Sequence, residues 1–214
     1  MLTIDIPYTN VNGVEFALIA SGLPMNPDSD PKVNRSLTKG DWKRIKNLAD
    51  AKPASGHDCA LKGITVKFYI KAPQYWWMQA ERYNWLEIVS SQSKMHMLTN
   101  MELDYQVNEW VEQDTLDRLK EAIELFNNWD KTHKWPTIHS SELVFESKDY
   151  LRQYIISNCP MGLQLTAGIT TNYLQLKTVY NQRRNHKLKE WQEFCDWIEE
   201  SLPNSYLITG KKEN

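Results

Sequence analysis

The chain has 214 residues, 41% hydrophobic and 24% charged, with a formal net charge of -2. That length predicts a single domain able to bury a real core, with the composition of a soluble globular protein. The charge balance argues against a protein dominated by non-specific nucleic-acid binding. The three cysteines, Cys59, Cys159 and Cys195, have no CxxC spacing and read as reduced thiols of a cytoplasmic protein. Residues 1–10, MLTIDIPYTN, lack a basic region followed by an apolar run, and no apolar stretch approaches membrane-spanning length.

In chain order, residues 2–7 and 14–20 predict a strand pair joined through Asn10 to Gly13. Leu23 to Lys39, rich in Pro, Asn and Asp, predicts a loop. A helix is expected from near Asp41, with Trp42, Ile45 and Leu48 at helical spacing, ending before Pro53. The turn Ser55 to Cys59 feeds a strand in which Ile64, Val66, Phe68 and Ile70 alternate with polar-side positions. Pro73 turns that strand into a helix, and a loop rich in Ser and Gln, centred on Ser90 to Ser93, follows. Helix is predicted again from Asp104 to Trp129, with a stripe of Leu116, Leu119, Ile123 and Phe126 and Asp114 as N-cap. Lys131 to His139 is read as a loop, Asp149 to Ile156 as a short helix, and Thr170 to Glu200 as mostly helical. Trp191, Phe194, Cys195 and Ile198 form the last buried face, Pro203 ends it, and residues 205–214 are read as a flexible tail. Strands near the front with helices behind predict an α+β fold.

Gln79 and Arg82, three apart, would share a helix face just before the serine-rich loop. A carboxamide and a guanidinium so placed can grip a phosphate or a flat polar heterocycle; the alternative is a solvated helix face. Three stretches, in order over residues 50–203, resemble the flavin-dependent thymidylate synthases. Gly56-His57 leading into Phe68 is similar to the family's Gly-His-x-Ser turn. Gln79-x-x-Arg82 followed by Ser93 looks like its Gln-x-x-Arg-His-Arg and Ser-x-Arg-Tyr signature. Pro160, Asn172 and Arg183, the last two eleven positions apart, resemble its closing proline, asparagine and arginine. Tyr83 and Asn84 stand where the family has His and a second Arg, Lys94-Met95-His96 follows Ser93, and Tyr154-Ile155-Ile156 carries no arginine.

The resemblance implies a small antiparallel sheet packed with long helices, assembled as a homotetramer. It implies that FAD, with NADPH and methylenetetrahydrofolate as co-substrates, serves the methylation of dUMP at C5 to dTMP. Arg183 would polarise the pyrimidine as the catalytic residue. Gln79, Arg82, Ser93 and Lys94 would bind substrate, and His57, Arg82, Tyr83, Asn84 and Asn172 would bind the cofactor. Each has a plainer reading. Arg183 and Arg184 would be a solvated face, Asn172 an N-cap, and Ser93 part of an ordinary loop. Trp76 and Trp77 read as core or interface and His186 as surface. His57-Asp58-Cys59 lacks a second ligand cluster, so no metal is expected. Two other functions stay open: a divergent nucleotide-binding relative, inactive as a synthase or acting on another pyrimidine nucleotide, and a nucleic-acid or partner-binding module using Lys177 to Lys189.

Overall fold

The computed structural model describes residues 3–28, 35–52, 55–129 and 145–211. These form two compact units. One comprises Met1–Ile70, Ala80–Ser90 and Ala167–Asn214; the other comprises Lys71–Gln79 and Ser91–Thr166. A four-stranded antiparallel sheet has the order β1-β2-β4-β3, with β1 at Asp5–Asn12, β2 at Thr65–Pro73, β3 at Glu87–Ser91 and β4 at Gln164–Asn172. With the helices, this is the expected α+β fold.

In the first unit the core lies against the inner face of β2, where Ile64, Val66, Phe68 and Ile70 are 0–2% exposed. That strict alternation is what the sequence predicted. The buried stripe of helix α8 (Lys189–Ser201) covers it, with Phe68 4.7 Å from Trp197 and 6.0 Å from Phe194 between ring centroids. Trp191, Phe194, Cys195 and Ile198 are all fully buried, as their spacing required. At the start of the described chain, Glu193 Oε2 accepts from the backbone of Thr3 at 2.8 Å and of Ile4 at 3.1 Å.

The expected second strand at 14–20 is instead helix α1, Val14–Ala20. A seven-residue apolar run has no decisive period, and Gly13 decides it. Its φ of +85° reverses the chain, and Ala17 N then donates to Gly13 O at 2.9 Å. Helix α2 (Lys39–Ala49) follows from a capping box in which Thr38 and Asp41 exchange side-chain and backbone bonds. Asp41, Ile45 and Ala49, four apart, make its buried line, flanked by half-buried Trp42 and Leu48.

The second unit has its own core. Leu116, Leu119, Ile123 and Phe126 of α5 (Gln113–Asn127) pack with Leu151 and Ile155 of α6 (Lys148–Ser157). The α5 stripe is as predicted, but the helix starts nine residues after Asp104, and its N-cap is Glu112, not Asp114. Residues before it make short turns and the Val107 to Leu163 bridge instead. Helix α3 (Gln74–Ala80) follows Pro73 as expected, and Trp76 and Trp77 are core, meeting edge to face at 5.0 Å. Helix α4 spans Lys94–Met97, and α7 (Tyr173–Arg183) follows β4. Thr170 to Asn172 therefore belong to a strand, and helix begins only at Tyr173. Residues 206–209 are not tail: α9 (Tyr206–Thr209) buries Tyr206, Leu207 and Ile208. The loop read at Lys131 to His139 lies outside the described residues. Among the described residues, no helix is long and apolar enough to cross a membrane.

Candidate functional site

In the first unit, the C-terminal turn of α7 brings Arg183 against the turn that follows α3. Arg183 Nε donates to the Tyr83 hydroxyl at 2.7 Å, and that hydroxyl donates to Gln182 Oε1 at 2.9 Å. The guanidinium carbon lies 5.3 Å from the Tyr83 ring centroid and 4.7 Å from that of Trp191. Tyr83 and Trp191 themselves meet edge to face at 5.8 Å. Arg183 is therefore held by a directed hydrogen bond and by two aromatic faces that attract a cation. Two residues one hundred positions apart in sequence, each singled out by the resemblance, are brought into contact.

His186 closes this corner. Its Nδ1 accepts from Leu188 N at 3.1 Å and its ring stands 6.5 Å from Trp191. Burial, and then the neighbouring Arg183 charge, hold its pKa below the ordinary histidine value. It is half-buried beside the arginine, not a plain surface histidine.

Beside this corner lies a cleft of about 470 Å³, walled by Gly56, Asp58, Cys59, Trp85, Gln175, Lys177, Thr178, Asn181 and Gln182, with Leu174. Its volume is that of a small-molecule site. Trp85 is 57% exposed. The cation and anion of the cleft neutralise each other: Lys177 Nζ donates to Asp58 Oδ2 at 2.7 Å and to Ala49 O at 2.6 Å, all three groups being buried or nearly so. The Thr178 hydroxyl donates to Leu174 O at 3.2 Å, so what remains to meet a ligand is the Trp85 ring, the carboxamides of Gln175, Asn181 and Gln182 and the exposed Cys59 thiol, a set that can take a flat polar heterocycle. Sequence reasoning missed Gln182, Trp85 and the Lys177–Asp58 pair. The only signal was position: Gln182 adjoins Arg183, and Trp85 follows Tyr83-Asn84.

The other residues singled out are distributed as follows. Arg82 does not share a helix face with Gln79, because α3 ends at Ala80 and Arg82 lies in the turn beyond it. Arg82 and Asn84 are exposed. Asn172 caps α7, its Oδ1 accepting from Gln175 N at 3.1 Å. His57 is exposed and lines a separate shallow cleft of about 480 Å³ with Lys43, Arg44 and Asn47 of α2. In the second unit, Lys94 Nζ donates to Gln74 Oε1 at 2.6 Å, and Gln74 Nε2 donates to Pro160 O at 2.9 Å. Ser93 precedes α4 as its N-cap without a side-chain capping bond. The serine-rich loop is partly strand: Ser90 and Ser91 belong to β3, and Gln92 bonds Thr166 in both directions at 2.9 Å. Of the basic stretch Lys177 to Lys189, Lys177 pairs with Asp58, Arg184 with Asp196 and Glu199, and Lys189 with Glu193. Those pairings set three of the stretch's cations against carboxylates, which weakens a one-sided positive patch of the kind a nucleic-acid binder needs.

The residues present fit FAD in part. Exposed Arg82 and Asn84 are donors of the kind a diphosphate takes, and the Trp85 indole can stack on a flat ring. The Tyr83 hydroxyl accepts from Arg183 Nε and donates to Gln182 Oε1 within the protein.

This architecture is the ThyX-like fold, that of the flavin-dependent thymidylate synthases. A flavin-dependent thymidylate synthase ThyX from Helicobacter pylori, complexed with FAD and dUMP, matches with a TM-score of 0.63 at 15% identity, over 98% of this chain and 97% of that one. A second structure of Helicobacter pylori ThyX with FAD and dUMP gives 0.67 at 14% identity, over 97% of each chain. The UMP/dUMP methylase PolB from Streptomyces cacaoi, bound with 5-Br dUMP, gives 0.62 at 11% identity, over 92% of this chain and 89% of that one. No protein-family model and no curated protein sequence matches.

Proposed function

We propose that this chain is a ThyX-like enzyme, acting as a single domain in a cytoplasmic homotetramer, that methylates a pyrimidine nucleotide at C5. The simplest reaction is dUMP to dTMP with methylenetetrahydrofolate, NADPH and FAD. The observation that carries this reading is the Tyr83–Arg183 contact, which unites two motif positions on a fold shared with FAD- and dUMP-bound ThyX. Reduced FAD, when bound, supplies the hydride. The protein's part is to place a fixed cation where charge develops. Arg183, immobilised by Tyr83 and Trp191, stabilises the negative charge that builds on the pyrimidine carbonyl as C5 becomes nucleophilic. Trp85 and the carboxamides of the adjoining cleft orient the rings, and Arg82 and Asn84 offer donors to phosphate. Gln79, Ser93 and Lys94 remain candidate substrate contacts, and His57 and Asn172 candidate cofactor contacts.

Arg183→Ala should lower turnover of dUMP by at least about 100-fold, the scale for losing a charge-stabilising donor. Thermal stability and FAD content should stay close to the parent's. Turnover within a few-fold of the parent's would refute the role given to Arg183. A second reading keeps the fold and changes the substrate, to another pyrimidine nucleotide or to binding without synthesis. It is favoured by Tyr83 and Asn84, whose side chains differ in chemistry from the family motif, and by the Lys177 charge being cancelled within the cleft.

A further inference from the structure

Rows of hydrogen bonds have a polarity, and the row at this site ends in the cleft. A guanidinium can only donate, so the Tyr83 oxygen must accept from Arg183 Nε at 2.7 Å. The single phenolic proton is then directed to Gln182, whose Oε1 receives it at 2.9 Å. With the amide reversed, two donors would converge on the Tyr83 oxygen and the phenolic proton would lose this acceptor. That polarity orients the exposed Gln182 carboxamide: its carbonyl faces Tyr83, which leaves its amino group to meet a ligand in the cleft that Gln182 lines.

We propose that Tyr83, acting through Gln182, makes this cleft specific for rings that present a carbonyl oxygen, as uracil does, against rings that present an amino group at the same edge, as cytosine does. Gln182 is the specificity-determining contact and Tyr83 its positioning residue. The inference rests on the proposed binding of a pyrimidine nucleotide and adds which base is accepted. It also gives tyrosine at position 83 a role of its own. A hydroxyl that both accepts from Arg183 and donates to Gln182 couples the cation to the base-reading amide. Trp85, half exposed in the same cleft, supplies a stacking face that is indifferent to the base, so discrimination falls on the carboxamide.

The test is calorimetric titration of the purified full chain, with FAD present in excess, using dUMP and dCMP as separate probes. A donor facing a carbonyl is satisfied, whereas a donor facing an amino group leaves both unpaired, so the parent should bind dUMP about tenfold or more tightly than dCMP. Tyr83→Phe keeps the ring and frees the Gln182 amide to turn, so the ratio should fall to within about twofold of unity. Gln182→Glu replaces the amino group by an acceptor and should reverse the preference towards dCMP. Equal binding of the two nucleotides by the parent, or a parent-like preference for dUMP in both folded variants, overturns the inference while leaving the nucleotide reading intact. Failure of the parent to bind either nucleotide overturns both.

Discussion

Lys177 and Asp58 are buried charges that line the cleft, and their removal has a calculable cost. Their side chains are 10% and 7% exposed, and Lys177 Nζ is the shared donor to Asp58 Oδ2 at 2.7 Å and Ala49 O at 2.6 Å. Lys177→Ala strands a buried carboxylate without its cation and removes the donor to Ala49 O. Breaking a buried pair from one side costs about 3–5 kcal/mol. For a chain of this length each kcal/mol lowers Tm by about 2–4 °C, so the fall should be roughly 6–20 °C. Urea unfolding followed by tryptophan fluorescence should show the midpoint moving with little change in slope. Combining Lys177→Met with Asp58→Asn removes both charges and should recover most of the loss, since it leaves no buried charge unpaired. A loss below about 1 kcal/mol for Lys177→Ala would mean the pair behaves like a solvated surface ion pair, and the description of the cleft as internally neutralised would be wrong.

Gly13→Ala should destabilise the fold by at least about 2 kcal/mol, because positive φ already costs a residue with a Cβ about 1–2 kcal/mol. A Cβ there would also stand 2.1 Å from Gly63 O. Parent-like denaturation midpoints would show that the turn into α1 is drawn wrongly. Asp41 accepts from Arg35 at 2.7 Å on both oxygens, which, with Thr38 and Arg44 outweighing burial, holds its pKa far below the usual carboxylate range. A folded-state pKa below the unfolded value of 3.8 means that this stabilisation is present above that pH and is lost as pH falls below it. Asp41→Asn should lower stability at neutral pH and flatten the acid limb of the stability–pH curve; an unchanged acid limb would contradict the assignment.

The elements legible in sequence were those with one clean period. Ile64 to Ile70 alternate because β2 has one buried and one exposed face, and the α5 and α8 stripes recur every three to four residues because each helix covers a core. The missed elements carry weak periods for identifiable reasons. β3 is exposed at every position, so it has no amphipathic pattern to read. β4 buries Ala167, Ile169 and Thr171 in strict alternation, but small and hydroxylated side chains muted that signal. At α1 the apolar run was read as strand because the constraint lies at Gly13, in the backbone and not in the pattern. At the site, Arg183 and Tyr83 were both named, yet their contact was not, since nothing local relates residues one hundred positions apart. Tyr83 read as a lost histidine; in three dimensions its hydroxyl meets Arg183 and Gln182 at once. Gln182 drew no notice, because a glutamine on an apparently polar helix face is indistinguishable from solvated surface until its partner is known.

Whether this fold serves a flavin and a pyrimidine nucleotide is decided by an absorbance titration. FAD is added to the purified chain, the excess is removed by dialysis, and dUMP is titrated into the retained complex. Flavin absorbance should be retained in proportion to protein, with a spectral change on dUMP addition that saturates. A colourless protein after dialysis, with no change in thermal stability on adding either ligand, would contradict the proposed function.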